Sequence, residues 1–132
     1  MQNPIAVISD IHSNFEALTA ALDDIRSQGI QHIVCLGDLV GYASGVRSCL
    51  KTIRELGCPV VLGNHDEAAC LPKPPEDFND TAAAGFAFAA IELIPAACRR
   101  FLSGGGFARD GYRGLWGWLL WRRVPMISCA VV

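Results

Sequence analysis

Asp10, His12, Asp38, Asn64, His65 and Asp66 are the residues of this chain whose types and spacing suit chemistry. They fall in three short polar clusters, Asp10-Ile11-His12, Gly37-Asp38 and Gly63-Asn64-His65-Asp66, each directly after a run of apolar residues. Asp10 and His12 are two apart, so in extended backbone they share a face, and a carboxylate with a neutral imidazole makes a good ligand pair for Zn, Mn or Fe. Asp38 adds a carboxylate able to bridge two cations, and Gly37 before it allows close backbone approach. Paired metals about 3.5–4 Å apart clamp the attacking and leaving oxygens of a phosphoryl displacement. Asn64 offers an amide oxygen to a metal, while His65 can give a proton to a leaving alkoxide, its orientation held by Asp66. Singly, each of these residues is more often a cap or turn residue, and Asp66 could cap a helix that begins near Glu67. Their coincidence at three successive strand ends is what points to an oxygen-and-nitrogen metal site.

The elements that must position the clusters are legible. Ile5 to Ile8, Ile33 to Leu36 and Val60 to Leu62 read as buried strands. Between the first two, Ser13 and Glu16 form a capping box, Phe15, Leu18, Leu22 and Ile25 line one helical face, and Gly29 stops the helix. A second helix places Val46, Cys49, Leu50, Ile53 and Leu56 at helical spacing and ends at Gly57, with Pro59 opening the third strand. The order β-α-β-α-β with helical crossovers implies a parallel sheet covered on both faces, with ligands at the carboxyl ends of the strands. Tyr42 and Asn14 are placed to line that pocket, Asn14 serving equally as a helix start, whereas His32 begins a strand outside the clusters and reads as structural.

After Leu71-Pro72-Lys73-Pro74-Pro75, a loop by composition, Asn79 or Asp80 caps a helix from Thr81 to Ile94 whose packing face is Ala83, Phe86, Ala90 and Leu93. Pro95 starts a short helix to about Leu102. Beyond Ser103 the composition changes to glycines, arginines and all three tryptophans (Trp116, Trp118, Trp121). We therefore expect a domain over residues 1–102 and an atypical tail over 103–132. An apolar stretch in the tail is cut by Arg122 and Arg123, so neither side approaches the roughly 20 residues of a membrane span.

A chain of 132 residues with 52% apolar and 18% charged content is globular, and its formal charge of -2 gives no reason to expect nucleic acid or an anionic membrane as partner. The six cysteines form no C-x-x-C pair and suit buried thiols in a reducing compartment. The first residues show no basic segment followed by an apolar one, so cytoplasmic residence is the expectation.

Taken together, Asp10-x-His12, Gly37-Asp38 and Gly63-Asn64-His65-Asp66 resemble the first three motifs of the calcineurin-like metallophosphoesterase superfamily, in particular its small bacterial phosphodiesterase branch. Asp38 lies 28 residues after Asp10 and 26 before Asn64, and Ser9-Asp10-Ile11-His12-Ser13-Asn14 and Gly37-Asp38-Leu39-Val40-Gly41-Tyr42 are close to that branch's wording. The resemblance covers about residues 4 to 102. It implies an α/β fold, the N-terminal half of a four-layer α-β-β-α sandwich. It further implies two divalent cations (Mn, Fe, Zn or Ni), the first held by Asp10 and His12, Asp38 bridging, and Asn64 holding the second and touching a substrate phosphate oxygen. His65 would be the acid for the leaving group with Asp66 behind it, and a metal-bound hydroxide the nucleophile.

The family completes its site with a later lone His and a Gly-His-x-His motif on a second sheet, whereas the only histidines here are His12, His32 and His65. The expectation is therefore a metal-dependent phosphoesterase, hydrolysing phosphodiesters or phosphomonoesters, of impaired activity. Arg99-Arg100-Phe101-Leu102 would be its last family-like residues, the tail arising from a frame change or early stop, and the second sheet would be missing or improvised from residues 107 to 132. The alternative is a non-catalytic remnant or interaction protein of the same fold, prone to self-association. An aspartyl-nucleophile phosphatase ranks last, because it requires a second Asp where His12 stands.

Overall fold

A computed structural model describes residues 4–92 together with the strand segments 107–108 and 126–130. In chain order the elements are β1 (Ile5–Ser9), α1 (Phe15–Ser27), β2 (His32–Cys35), α2 (Val46–Leu56), β3 (Val60–Val61), α3 (Asn64–Ala68), α4 (Asp80–Glu92), β4 (Phe107–Ala108) and β5 (Met126–Ala130). They build one sheet in the order β4-β3-β2-β1-β5 in which every neighbouring pair is parallel. Register sets Ile5 opposite His32, Ile8 opposite Cys35, and Cys35 opposite Val60. The carboxyl ends of β1, β2 and β3 therefore lie side by side, as the β-α-β-α-β reading required.

Strand order also decides where the helices go. The chain steps from β1 to β2 to β3 in one direction, and right-handed crossovers stepping one way leave their helices on one face. Leu18, Leu22 and Ile25 of α1 and Val46, Cys49, Leu50 and Ile53 of α2 accordingly share a single core with Ala6, Ile8, Cys35 and Val60, and Ala89 of α4 joins it. Each fully buried Leu or Ile there contributes about 1.5–3 kcal/mol relative to exposure. Ile5, Val34 and Leu36 face the other way in a small second cluster. Both faces of β1 are buried, as its continuous apolar run implied, and α1 and α2 cover one of them.

Local signals place the helix ends with two corrections. Gly57 closes α2 in the left-handed conformation (φ 61°), as expected. The cap of α1 is Asn14, whose Oδ1 accepts from the Ala17 N–H at 3.1 Å, rather than the Ser13–Glu16 box. Ser13 is diverted because its own φ is +60°, its N–H donates to the Leu39 carbonyl at 2.9 Å, and its hydroxyl is buried without a partner among the described residues. On α4, Asn79 Oδ1 accepts from the Ala82 N–H at 2.8 Å, and the buried face is Ala82, Gly85, Phe86 and Ala89. That face is turned from the one read off the periodicity because Gly85 must meet the Gly41–Tyr42 backbone: a Cβ at residue 85 would stand 2.5 Å from the Tyr42 nitrogen. Leu93 and the helix expected from Pro95 lie outside the described residues. The strands at 107–108 and 126–130 extend the first sheet at its two edges rather than founding a second. Among the described residues no helix is long and apolar enough to cross a membrane.

Candidate metal centre

Three loops leave the carboxyl edge of the sheet; the first two are tied to each other by backbone bonds and the third to the second through the Asp38 and Asp66 carboxylates. Asp10 N–H donates to the Gly37 carbonyl (3.2 Å) and His12 N–H to the Asp38 carbonyl (2.9 Å), carrying the β1–β2 pairing past the strands themselves. Gly37 (φ +97°) is required at this crossing, since a Cβ there would lie 2.5 Å from the Gly63 nitrogen and 2.6 Å from the Val61 oxygen. Gly63 is equally constrained, because a Cβ on it would collide with the Asp38 carboxylate and backbone nitrogen.

Asp10, His12, Ser13, Asp38 and Tyr42 are the described non-glycine residues with positive φ, from 34° to 60°. All belong to these loops. Strained backbone of this kind costs about 1–3 kcal/mol per residue and persists where the surroundings over-determine it, which is characteristic of functional sites.

Three of the candidate side chains come together. One ligand atom from each of Asp10, His12 and Asp38 lies within 4.8 Å of the others. His12 Nδ1 approaches the Val40 carbonyl at 3.2 Å. A carbonyl only accepts, so Nδ1 bears the proton and Nε2, 3.7 Å from Asp10 Oδ1, keeps its lone pair for a cation. This tautomer, with two carboxylates beside it, is the chemistry of a divalent-metal donor set, and the residues present fit such an ion.

Asn64 and His65 occupy the first turn of α3, which begins at Asn64 rather than near Glu67. Asn64 is exposed. The His65 N–H donates to Asp38 Oδ1 at 2.9 Å, so the carboxylate expected to bridge also anchors this turn. The His65 ring lies 4.7 Å from that of His12, 5.2 Å from Tyr42 and 4.9 Å from Phe78. Burial, and secondarily the facing His12, push His65 below its ordinary pKa, with Asp38 and Asp10 acting in opposition.

Asp66, expected behind His65, has a different position. Its carboxylate is fully buried and accepts from the Leu39 N–H (2.8 Å) and Val40 N–H (3.1 Å) through Oδ1 and from the Gly63 N–H (3.1 Å) through Oδ2. It staples the loop after β2 to the start of α3, and the His65 ring is instead packed among aromatic neighbours. Burial pushes the Asp66 carboxyl up to about 7, although the three N–H donors pull the other way.

Phe78 and Gly85 complete the surroundings without having been singled out as site residues. Phe78 sits in the proline-rich loop, where no periodicity marks it. Gly85 did leave a signal, because a lone glycine inside a helix costs about 1 kcal/mol against alanine and usually has a packing reason. His32 is exposed at the opposite, amino end of β2. Cys35, Cys49, Cys58 and Cys70 form no disulfide among the described residues, and burial pushes Cys35 and Cys49 up to about 12, which keeps them protonated. The side chains of Cys98 and Cys129 lie outside the described residues.

A parallel α/β sheet with two carboxylates and an imidazole at its carboxyl edge, and a second histidine against the first, suits divalent-cation chemistry at that edge. The model of the calcineurin-like phosphoesterase family matches residues 3–124, and the chain belongs to that family. The crystal structure of a metallophosphoesterase from Sphaerobacter thermophilus is similar, with TM-score 0.61 and 35% identity over 76% of this chain and 41% of that one. An uncharacterised protein of Methanocaldococcus jannaschii is 56% identical over 66 residues, 50% of this chain and 27% of the relative. The chain thus covers less than half the length of either.

Proposed function

We propose that this chain forms part of a metal-dependent phosphoesterase that hydrolyses phosphodiesters or phosphomonoesters. The observation that supports this most directly is the convergence of Asp10, His12 and Asp38 within 4.8 Å at the edge where α/β sheets bind ligands. In this reading Asp10 and His12 would hold one divalent cation, and Asp38 and Asn64 would serve a second. Cations bound there would supply Lewis-acid polarisation of a phosphoryl oxygen and lower the pKa of a water. The chain's own residues do the rest. His12 presents Nε2 because Val40 fixes its tautomer. His65 gives a proton to the departing alkoxide, and the lowering of its pKa by burial makes its protonated form the stronger acid. Asp38 holds the turn bearing His65 through the backbone bond.

With His32 at the opposite edge, His12 and His65 are the histidines this chain brings to the site. Its cation affinity and turnover are therefore proposed to fall below those of a site with the family's further histidines. The test is hydrolysis of a chromogenic aryl phosphodiester with added manganese, alongside metal analysis of the purified chain. Turnover that needs the metal and disappears in Asp38→Ala supports the proposal. Its absence at every metal concentration refutes catalysis by this chain, and two ions retained tightly through purification refute the impaired site.

A further inference from the structure

Tyr42 is not among the residues assigned above to a cation or a proton, yet its backbone is strained. Its φ is +34°, a region disfavoured for a bulky residue. The conformation is fixed from several directions. The next residue, Ala43, donates its N–H to the His12 carbonyl at 3.1 Å. Gly85 of α4 admits the Tyr42 backbone where any Cβ would stand 2.5 Å from its nitrogen. Gly41, at φ +120°, lets the loop cross both imidazoles, with its missing Cβ 2.9 Å from His65 Nδ1 and 3.1 Å from His12 Nδ1.

What this holds in place is an aromatic ring left open to solvent. Tyr42 is 45% exposed, although its ring lies 4.8 Å from that of His12 and 5.2 Å from that of His65. An ordinary buttress would be buried by the groups it supports. Phe78 fits that description better, being half-buried and inclined only 31° to the His65 ring. A rigid aromatic with a free surface beside a polar centre is suited to contacting a planar ligand, because its area is offered at little conformational cost.

Resting on the phosphoesterase reading, we infer that Tyr42 is a specificity residue that stacks on the leaving group, so that the site favours phosphoesters with planar aromatic leaving groups over alkyl ones. The position of His65 supports the assignment. The group that receives its proton is the leaving oxygen, and whatever substituent that oxygen bears emerges beside the ring standing next to His65. Stacking uses the ring rather than the hydroxyl, so phenylalanine serves in its place.

The test uses the full chain loaded with zinc and two non-hydrolysable phosphonates measured by calorimetry. Benzylphosphonate mimics an aryl phosphate and ethylphosphonate an alkyl one, each with a methylene in place of the ester oxygen. The parent should bind benzylphosphonate more tightly. In Tyr42→Ala the benzyl-to-ethyl affinity ratio should fall about three- to tenfold, the range expected for one aromatic pair, and in Tyr42→Phe it should be retained. The Tyr42 ring resonances of the parent should also shift on adding benzylphosphonate and not on adding ethylphosphonate, a readout that does not depend on the variants folding. A parent that binds both equally, or an alanine variant that weakens both by the same factor, overturns the role of Tyr42 and leaves the phosphoesterase reading standing. A parent that binds neither overturns both.

Discussion

Replacing Asp66 separates a structural staple from a partner of His65. Its two oxygens accept three backbone N–H groups, Leu39 and Val40 on Oδ1 and Gly63 on Oδ2, in a fully buried setting. Asp66→Ala leaves all three donors without an acceptor, and an unsatisfied buried donor costs about 1–3 kcal/mol. A water entering the space left by the carboxylate would restore part of this, so the net loss is about 3–5 kcal/mol, a large share of the 5–15 kcal/mol typical of a domain. Asp66→Asn keeps one oxygen for Leu39 and Val40 but turns an amide N–H toward the Gly63 donor, so it should lose about 1–3 kcal/mol. Urea unfolding of the metal-free chain reads both values as midpoint shifts at constant slope. The reasoning fails if alanine is tolerated as well as asparagine, or if neither moves the midpoint while the His65 ring resonances change. The second result would return Asp66 to the role expected from sequence.

Three further outcomes follow from the same structure. Gly37→Ala should destabilise by about 2–5 kcal/mol in the same unfolding measurement, because overpacking against β3 adds to a left-handed backbone conformation, and a shift under 1 kcal/mol would contradict the close crossing. Asn14→Ala removes the α1 cap and should lower stability by about 1 kcal/mol, while Ser13→Ala, with its hydroxyl unpartnered, should not. The pH dependence of Asp66 has a definite sign: its folded pKa is raised from 3.8 to about 7, so its contribution to stability is fully present below about 4 and is lost as pH rises through about 7. The stability gap between parent and Asp66→Asn, measured without metal, should therefore narrow between pH 5 and pH 8, and a widening gap would reverse the assignment.

The strand and helix order was legible because each element carries its own signal. The apolar runs at Ile5, Ile33 and Val60 mark strands, the spacing from Val46 to Leu56 marks a helix, and Gly57 marks its end. The clusters were legible too, since Asp10, His12 and Asp38 follow strands that must be neighbours once the crossovers are helical. The cap of α1 was misassigned because Ser13 and Asn14 are both good caps and a contact with the Leu39 carbonyl, 26 residues away, chose between them. The α4 face was turned by Gly85 for a similar reason, a backbone approach that periodicity does not record.

The sequence by itself thus determined a parallel α/β domain of the calcineurin-like phosphoesterase family and the loops that bring its candidate metal ligands to one edge. Local patterns suffice for that, because burial periodicity, caps and strand ends are properties of neighbouring residues. Tertiary structure alone decided what each polar group is bonded to. Asp66 lies next to His65 in the chain but spends its carboxylate on Leu39, Val40 and Gly63, and Val40, 28 residues from His12, sets the tautomer of that imidazole. Hydrogen bonds between loops depend on how strands are stacked in space, and two side chains adjacent in sequence on a helix point in different directions. That is why the family of the site could be read from residue types, and the bonding partners of Asp66 and His12 could not.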